Sequence, residues 1–167
     1  MNSILDVEFS TPLGVCSLSW TDGRLVRLGL PDETARDSGR IFLECPSWIA
    51  GIIGRVRNHF SGRFENFSDI ALDWSRVTPF QKSVYLEAQA IKAGHTTTYG
   101  EISRRLGLGR EGARSVGVAL GANPWPFVVP CHRVVAADGK MTGFSAPGGI
   151  RTKTRLLALE GAELLSE

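Results

Sequence analysis

Cys131 and His132 stand side by side in the segment Asn123-Pro124-Trp125-Pro126-Phe127-Val128-Val129-Pro130-Cys131-His132-Arg133-Val134-Val135. A cysteine attacks carbon only as the thiolate, and a nearby imidazole or positive charge favours that form. His132 and Arg133 follow the thiol directly, so both kinds of assistance are within reach. Prolines restrict the backbone around Asn123 and Trp125, and the apolar run that follows is suited to burial. Taken alone, the dipeptide fits a buried structural thiol beside a surface histidine better than it fits a nucleophile.

The elements that must present this segment read as short helices. Thr78-Pro79-Phe80-Gln81 is a capping box with proline at the first helical position, and it predicts a helix from there to Gly94. Thr98-Tyr99-Gly100-Glu101 repeats the pattern and predicts a short helix ending at Gly107. After the turn Leu108-Gly109, a third helix is expected from Arg110 to Leu120. Two short helices joined by a glycine-containing turn make either a helix-turn-helix or a plain αα-hairpin. The third helix is slim, with Gly112, Ala113, Gly117, Ala119 and Gly121, and Arg114 projects from it. Interior glycine costs ~1 kcal/mol relative to alanine. Such a helix needs packing to hold it, and it suits either close helix contact or approach to a nucleic-acid backbone.

The amino-terminal half predicts β structure first. Cys16, Leu18 and Trp20 alternate with serines, Asp22-Gly23 marks a hairpin turn, and Val26, Leu28 and Leu30 alternate beyond it. A loop is expected from Pro31 to Arg40. Trp48, Ile49, Ile52, Ile53, Val56 and Phe60 recur at helical spacing up to Gly62. Ile70, Leu72 and Trp74 suggest a further strand. No chemical constellation is visible in this half. The fold class that follows is an α/β unit over 1–77, a small antiparallel sheet with a helix. A mainly helical unit with a helix-turn-helix follows over 78–167.

Composition excludes several classes. No apolar run approaches the ~20 residues of a membrane span, and acidic residues stand where a signal peptide would be basic, so a soluble cytoplasmic protein is expected. Cys16, Cys45 and Cys131 are widely spaced, no CxxC pair exists, and His59, His95 and His132 are scattered, so neither a disulfide framework nor a metal site is expected. Residues 1–77 hold eight arginines against ten carboxylates, whereas 78–167 hold eleven basic against seven acidic residues. A basic second half points weakly to a polyanion.

With these elements around it, the Cys-His segment resembles the O6-alkylguanine-DNA alkyltransferases, also called methylated-DNA–protein-cysteine methyltransferases. Asn123-Pro124 with Val129-Pro130-Cys131-His132-Arg133-Val134-Val135 carries most of the likeness. Gly94, Thr98-Tyr99-Gly100-Glu101, Ala113-Arg114-Ser115-Val116-Gly117, Gly143-Phe144-Ser145 and Leu156-Leu157-Ala158-Leu159-Glu160-Gly161 extend it from about Thr78 to Glu163, and more loosely back through the hairpin. The resemblance implies stoichiometric, irreversible repair, in which Cys131 takes an alkyl group from guanine O6 and keeps it. It implies that His132 takes the thiol proton, Glu160 orients the imidazole, Asn123 is a hinge, and Tyr99 supplies a proton to the departing guanine. Arg114 would fill the stack vacated by an extruded base. Tyr99, Gly100 and Gln81 would meet the DNA backbone, with the slim helix in the minor groove. Val134, Phe144 and Ser145 would line the substrate pocket. The implied partner is double-stranded DNA bearing O6-alkylguanine, with O4-alkylthymine a second candidate, bound by a monomer without cofactor.

Two features depart from many relatives. Phe144 stands where tyrosine is common, and Ala146-Pro147 lengthen the loop before Gly148. Three other functions compete. A lesion sensor of the same fold would lack the acceptor cysteine. A transcription regulator would need long polar side chains on its recognition helix. A cysteine hydrolase would need an oxyanion hole.

Overall fold

The computed structural model describes residues 3–31, 45–138 and 149–162. Three antiparallel strands open it, β1 (Leu5–Thr11), β2 (Gly14–Thr21) and β3 (Arg24–Gly29), in the order β1-β2-β3. The β2–β3 turn has Asp22 at φ 45° and Gly23 at φ 73°. Two positive φ values are what a tight hairpin compatible with strand twist requires. A register shift at Ser19/Trp20 sets Leu25 opposite Trp20 while Leu28 faces Leu18. The expected alternation on β3 is broken there, and Leu25 and Val26 are both buried. The helix predicted around Trp48 is α1 (Ser47–Phe60), whose Ile49, Ile52, Val56 and Phe60 share the core with Leu18, Trp20 and Leu25 of the sheet.

The strand expected at Ile70–Trp74 does not form. Only Leu72 bridges Leu25, and Trp74–Arg76 turns into a 3₁₀ helix. The cause is Asp73, whose carboxylate accepts from the Ser75 amide and hydroxyl and so offers the backbone a turn in place of a ladder.

Helices then dominate: α2 (Pro79–Gln89), α3 (Tyr99–Arg105), α4 (Gly112–Gly121) and α5 (Gly149–Leu159). The capping box on α2 is complete, Thr78 and Gln81 bonding each other's backbone amides. The helix ends at Gln89, short of the expected Gly94, and Gly94 sits at φ 83° in the turn beyond. Gly107 at φ 76° breaks the chain between α3 and α4. Gly112 lets the start of α4 press onto α3, because a Cβ there would run into the Ser103 hydroxyl and Leu108. This is the helix-turn-helix. The Tyr85 hydroxyl pins α4 to α2 by donating to the Ala119 carbonyl at 2.7 Å.

Two short strands, β4 (Thr97–Thr98) and β5 (Val134–Val135), pair in parallel and tie the start of α3 to the Cys-His segment. The two halves of the chain share one core. Trp125 is fully buried and donates its indole N–H to the Leu25 carbonyl, and the Leu28 amide bonds Pro124.

Candidate active site

Cys131, His132 and Arg133 form one turn of 3₁₀ helix between Pro130 and β5, all three buried. Asn123 holds the approach to that turn. Its amide nitrogen donates to the Val129 carbonyl and its oxygen accepts from the Trp125 amide, both at 2.9 Å. Phe127 lies between, at φ 79°, a left-handed conformation unusual for an aromatic residue. Its ring packs edge-on to His59 at 4.7 Å and stacks on His132 at 6.4 Å.

Glu160, just past the end of α5, is the centre of the charge network. Its carboxylate accepts from His132 Nε2 at 3.0 Å, His59 Nε2 at 2.9 Å, and Arg133 twice, at 2.9 Å and 2.7 Å. Arg133 also donates to the Ile91 carbonyl, which is available because α2 has already ended. The proton positions follow from these partners. A carboxylate with a depressed pKa only accepts, so His132 carries its proton on Nε2. Its Nδ1 is buried without a hydrogen-bond partner among the described residues. That leaves a lone pair in the same turn as the thiol.

Burial works against each charge here. It pushes the Glu160 carboxyl up, but the bonds from His132, His59 and Arg133 outweigh it and hold the group well below the usual carboxylate range. Burial pushes the His132 imidazole down, against the pull of Glu160, and keeps it neutral. Burial also raises the Cys131 thiol, opposed by a hydrogen bond from Asn123 and by the charge of Lys153. The resting pair is therefore neutral thiol beside neutral imidazole, and a base has to act when substrate arrives. Burial likewise drives the Cys16 thiol up to about 12, opposed by its hydrogen bond with Thr11.

Lys153 went unsuspected in the sequence. It is 1% exposed on α5, and its ammonium donates to the Val134 carbonyl at 2.7 Å and to the Tyr99 hydroxyl at 3.4 Å. Arg133, expected to support the thiolate, turns instead to Glu160, and Lys153 supplies the positive charge that Cys131 feels. The amino-terminal half is not free of chemistry either, because its His59 reaches Glu160. Neither residue belongs to the motif. A lysine in phase with Leu156 and Leu157 was the available signal for the first, and nothing local marked the second.

The structure brings Cys131, His132, Glu160, Asn123 and Val134 together and links Tyr99 to them through Lys153. Arg114 and Val118 are exposed on the crest of α4 between two grooves. One groove, of about 780 Å³, is lined by Tyr99, Gly100, Ala113, Gly117 and Ala136. The other, of about 430 Å³, is lined by Thr78, Phe80 and Gln81 on α2. Gln81 thus flanks α4 on the side away from Tyr99 and Gly100. The small residues of α4 divide likewise: Gly112 and Ala119 are buried, while Ala113 and Gly117 face the larger groove, Gly117 against the Tyr99 ring. Phe144 and Ser145 lie outside the described residues.

Comparison with known proteins agrees with this geometry. Residues 79–162 match the family model described as 6-O-methylguanine DNA methyltransferase, DNA binding domain. A methylated-DNA–protein-cysteine methyltransferase of Mycolicibacterium paratuberculosis is 40% identical over 92% of both chains. One of Shigella flexneri is 34% identical over 99% of this chain and 100% of its own. Among solved structures, Mycobacterium tuberculosis OGT in complex with DNA superposes with TM-score 0.77 at 35% identity, covering 93% of this chain and 92% of that one. The O6-methylguanine-DNA methyltransferase of Pyrococcus kodakaraensis gives TM-score 0.69 at 27% identity, covering 96% and 100%. With its fold, its buried Cys-His turn and these relatives in agreement, the chain belongs to the methylated-DNA–protein-cysteine methyltransferase family.

Proposed function

We propose that Cys131 is the cysteine that accepts the alkyl group in this DNA-repair methyltransferase. The observation that carries the assignment is the protonation pattern around Glu160, which leaves the Nδ1 lone pair of His132 unshared among the described residues, in the same 3₁₀ turn as a buried thiol. As the Cys131 sulfur forms its bond to the alkyl carbon, the bond from that carbon to guanine O6 breaks. The thiol proton passes to His132 through a water, and Glu160 stabilises the imidazolium so formed. The departing guanine needs a proton, and we assign Tyr99 as its donor, a role supported by the Lys153 ammonium that faces the hydroxyl and would stabilise a developing phenolate. The thioether has no leaving group, so each chain reacts once.

O6-alkylguanine is hidden within a duplex, so its nucleotide must be turned out before a buried thiol can reach it. Arg114 on the crest of α4 suits the vacated stack. The slim flank of Ala113 and Gly117 suits a minor groove, with Tyr99, Gly100 and Gln81 beside the two grooves that would receive the sugar-phosphate strands. Phe144, Ser145 and Val134 are assigned to the alkyl pocket. We assign the protein as a monomer acting in the cytoplasm, built as units 1–77 and 78–167. A non-catalytic lesion sensor is disfavoured by Cys131 itself.

Mass spectrometry of the protein mixed with duplex DNA bearing O6-methylguanine tests the assignment. One methyl group per chain, mapped to Cys131, is expected. Methyl on Cys16 or Cys45, or many turnovers per chain, would overturn it.

A further inference from the structure

Among the described residues, His59 is the one side chain from the sheet-bearing half that enters the charge network, and its surroundings define its state. The Glu65 amide donates to His59 Nδ1 at 3.0 Å, and an amide can only donate. Nδ1 is therefore a lone pair, and the ring is a neutral imidazole with its proton on Nε2, directed at Glu160 Oε1 at 2.9 Å. His59 is fully buried, and Phe64, Phe67 and Phe127 surround its ring at 4.7–5.8 Å. A polar ring walled by phenylalanines is costly to keep unless its nitrogens are satisfied, and here both are.

We infer that His59 is a positioning residue for alkyl transfer, its Nε2–H holding Glu160 Oε1 where that oxygen receives the His132 Nε2–H. This rests on the alkyltransferase reading above. Oε1 carries three donors, from His132, His59 and Arg133, and Oε2 carries one, from Arg133. Arg133 fixes the plane of the carboxylate. His59, arriving from α1, fixes where Oε1 lies within that plane relative to His132. Its neutrality matters as well. During transfer His132 becomes positive, and a second cation on Oε1 would oppose that charge, whereas a neutral donor anchors the oxygen without doing so. The amino-terminal half thereby completes the geometry of a base that stands on the other half of the chain.

The test is single-turnover transfer from duplex O6-methylguanine at saturating protein, with DNA affinity measured in parallel. His59→Phe keeps an aromatic ring among the phenylalanines and removes only the donor and acceptor. It should slow transfer on the order of tenfold, the usual scale for a lost bond to a charged group, with Kd unchanged. His59→Gln places an amide N–H where Nε2 was and should restore most of the rate, while His59→Asn, which replaces Nδ1 instead, should not. In a Glu160→Gln background, His59→Phe should add no further slowing. A His59→Phe protein as fast as wild type, or one slowed equally with and without Glu160, would overturn the inference. If His59→Phe does not fold, the Asn and Gln variants decide it by the same comparison, and equal rates in those two would overturn it. A wild-type protein that takes up no methyl group would instead refute the function on which the inference stands.

Discussion

Replacing Arg133 by methionine would leave the Glu160 carboxylate fully buried with two neutral imidazoles as its remaining donors. Arg133 gives that carboxylate two hydrogen bonds in a fork and spends a third on the Ile91 carbonyl. Removing one partner of a buried ion pair costs about 3–5 kcal/mol, because the other charge stays behind. A domain has only about 5–15 kcal/mol in total. At roughly 2–4 °C per kcal/mol for a chain of this size, Arg133→Met should melt on the order of 10 °C below wild type. Arg133→Lys keeps the charge but not the fork and should fall between the two. Arg133→Met combined with Glu160→Gln removes both charges of that pair and should regain much of the loss. The pH dependence has a definite sign. Glu160 is depressed in the folded state from an ordinary value of 4.5, so its stabilisation is present above that value and is lost as pH falls through the folded one. Without Arg133 the folded value rises, and acid unfolding should begin at higher pH. Thermal melts by circular dichroism across the acid range read both effects. A single Arg133→Met variant that melts with wild type would show that the carboxylate is solvated in solution and that the network described here is wrong.

Other substitutions separate chemistry from DNA handling. His132→Ala and Glu160→Gln should slow transfer while leaving DNA affinity near wild type; a wild-type rate in either would exclude the relay. Lys153→Met removes the cation that lowers the Cys131 thiol, so the alkaline rise in Cys131 alkylation by a small reagent should move to higher pH; an unmoved profile would rule out that coupling. Arg114→Ala should slow repair of duplex DNA far more than reaction with a free O6-alkylguanine base. If Arg114 instead served as a phosphate contact, the loss would appear in affinity, with the salt slope reduced by roughly one unit.

What could be read in advance was whatever lies close together along the chain. The Cys-His turn, the capping boxes at Thr78 and Thr98 and the glycine break before α4 are local, and each appears where its residues predicted. Asp73 shows how a local competitor defeats a pattern, since apolar alternation through Leu72 continued into a residue whose carboxylate makes a turn. The end of α2 was misplaced because the chain leaves the helix after Gln89, and the Ile91 carbonyl then meets Arg133, a partner 42 residues away. Lys153 was hidden because a buried lysine on a helix has the same spacing as a solvated one until its carbonyl partner is known. His59 was the least accessible of all, 101 residues from the glutamate it holds and surrounded in sequence by ordinary core positions.

Those separations also bear on how the protein is made. The parallel pairing of β4 with β5 and the bonds of Glu160, which span 27, 28 and 101 residues, are non-local contacts. Each must close a long loop before it gains anything, and contacts of that kind form late and slowly. The hairpin, α1 and the helix-turn-helix are local and can form early. A ribosome that has not yet released Glu160 therefore holds a chain with much of its secondary structure in place but without the carboxylate that meets His132 beside Cys131. On the proposed relay the thiol gains its full reactivity only in the last stage of folding, so a half-made chain is slow to spend its single reaction.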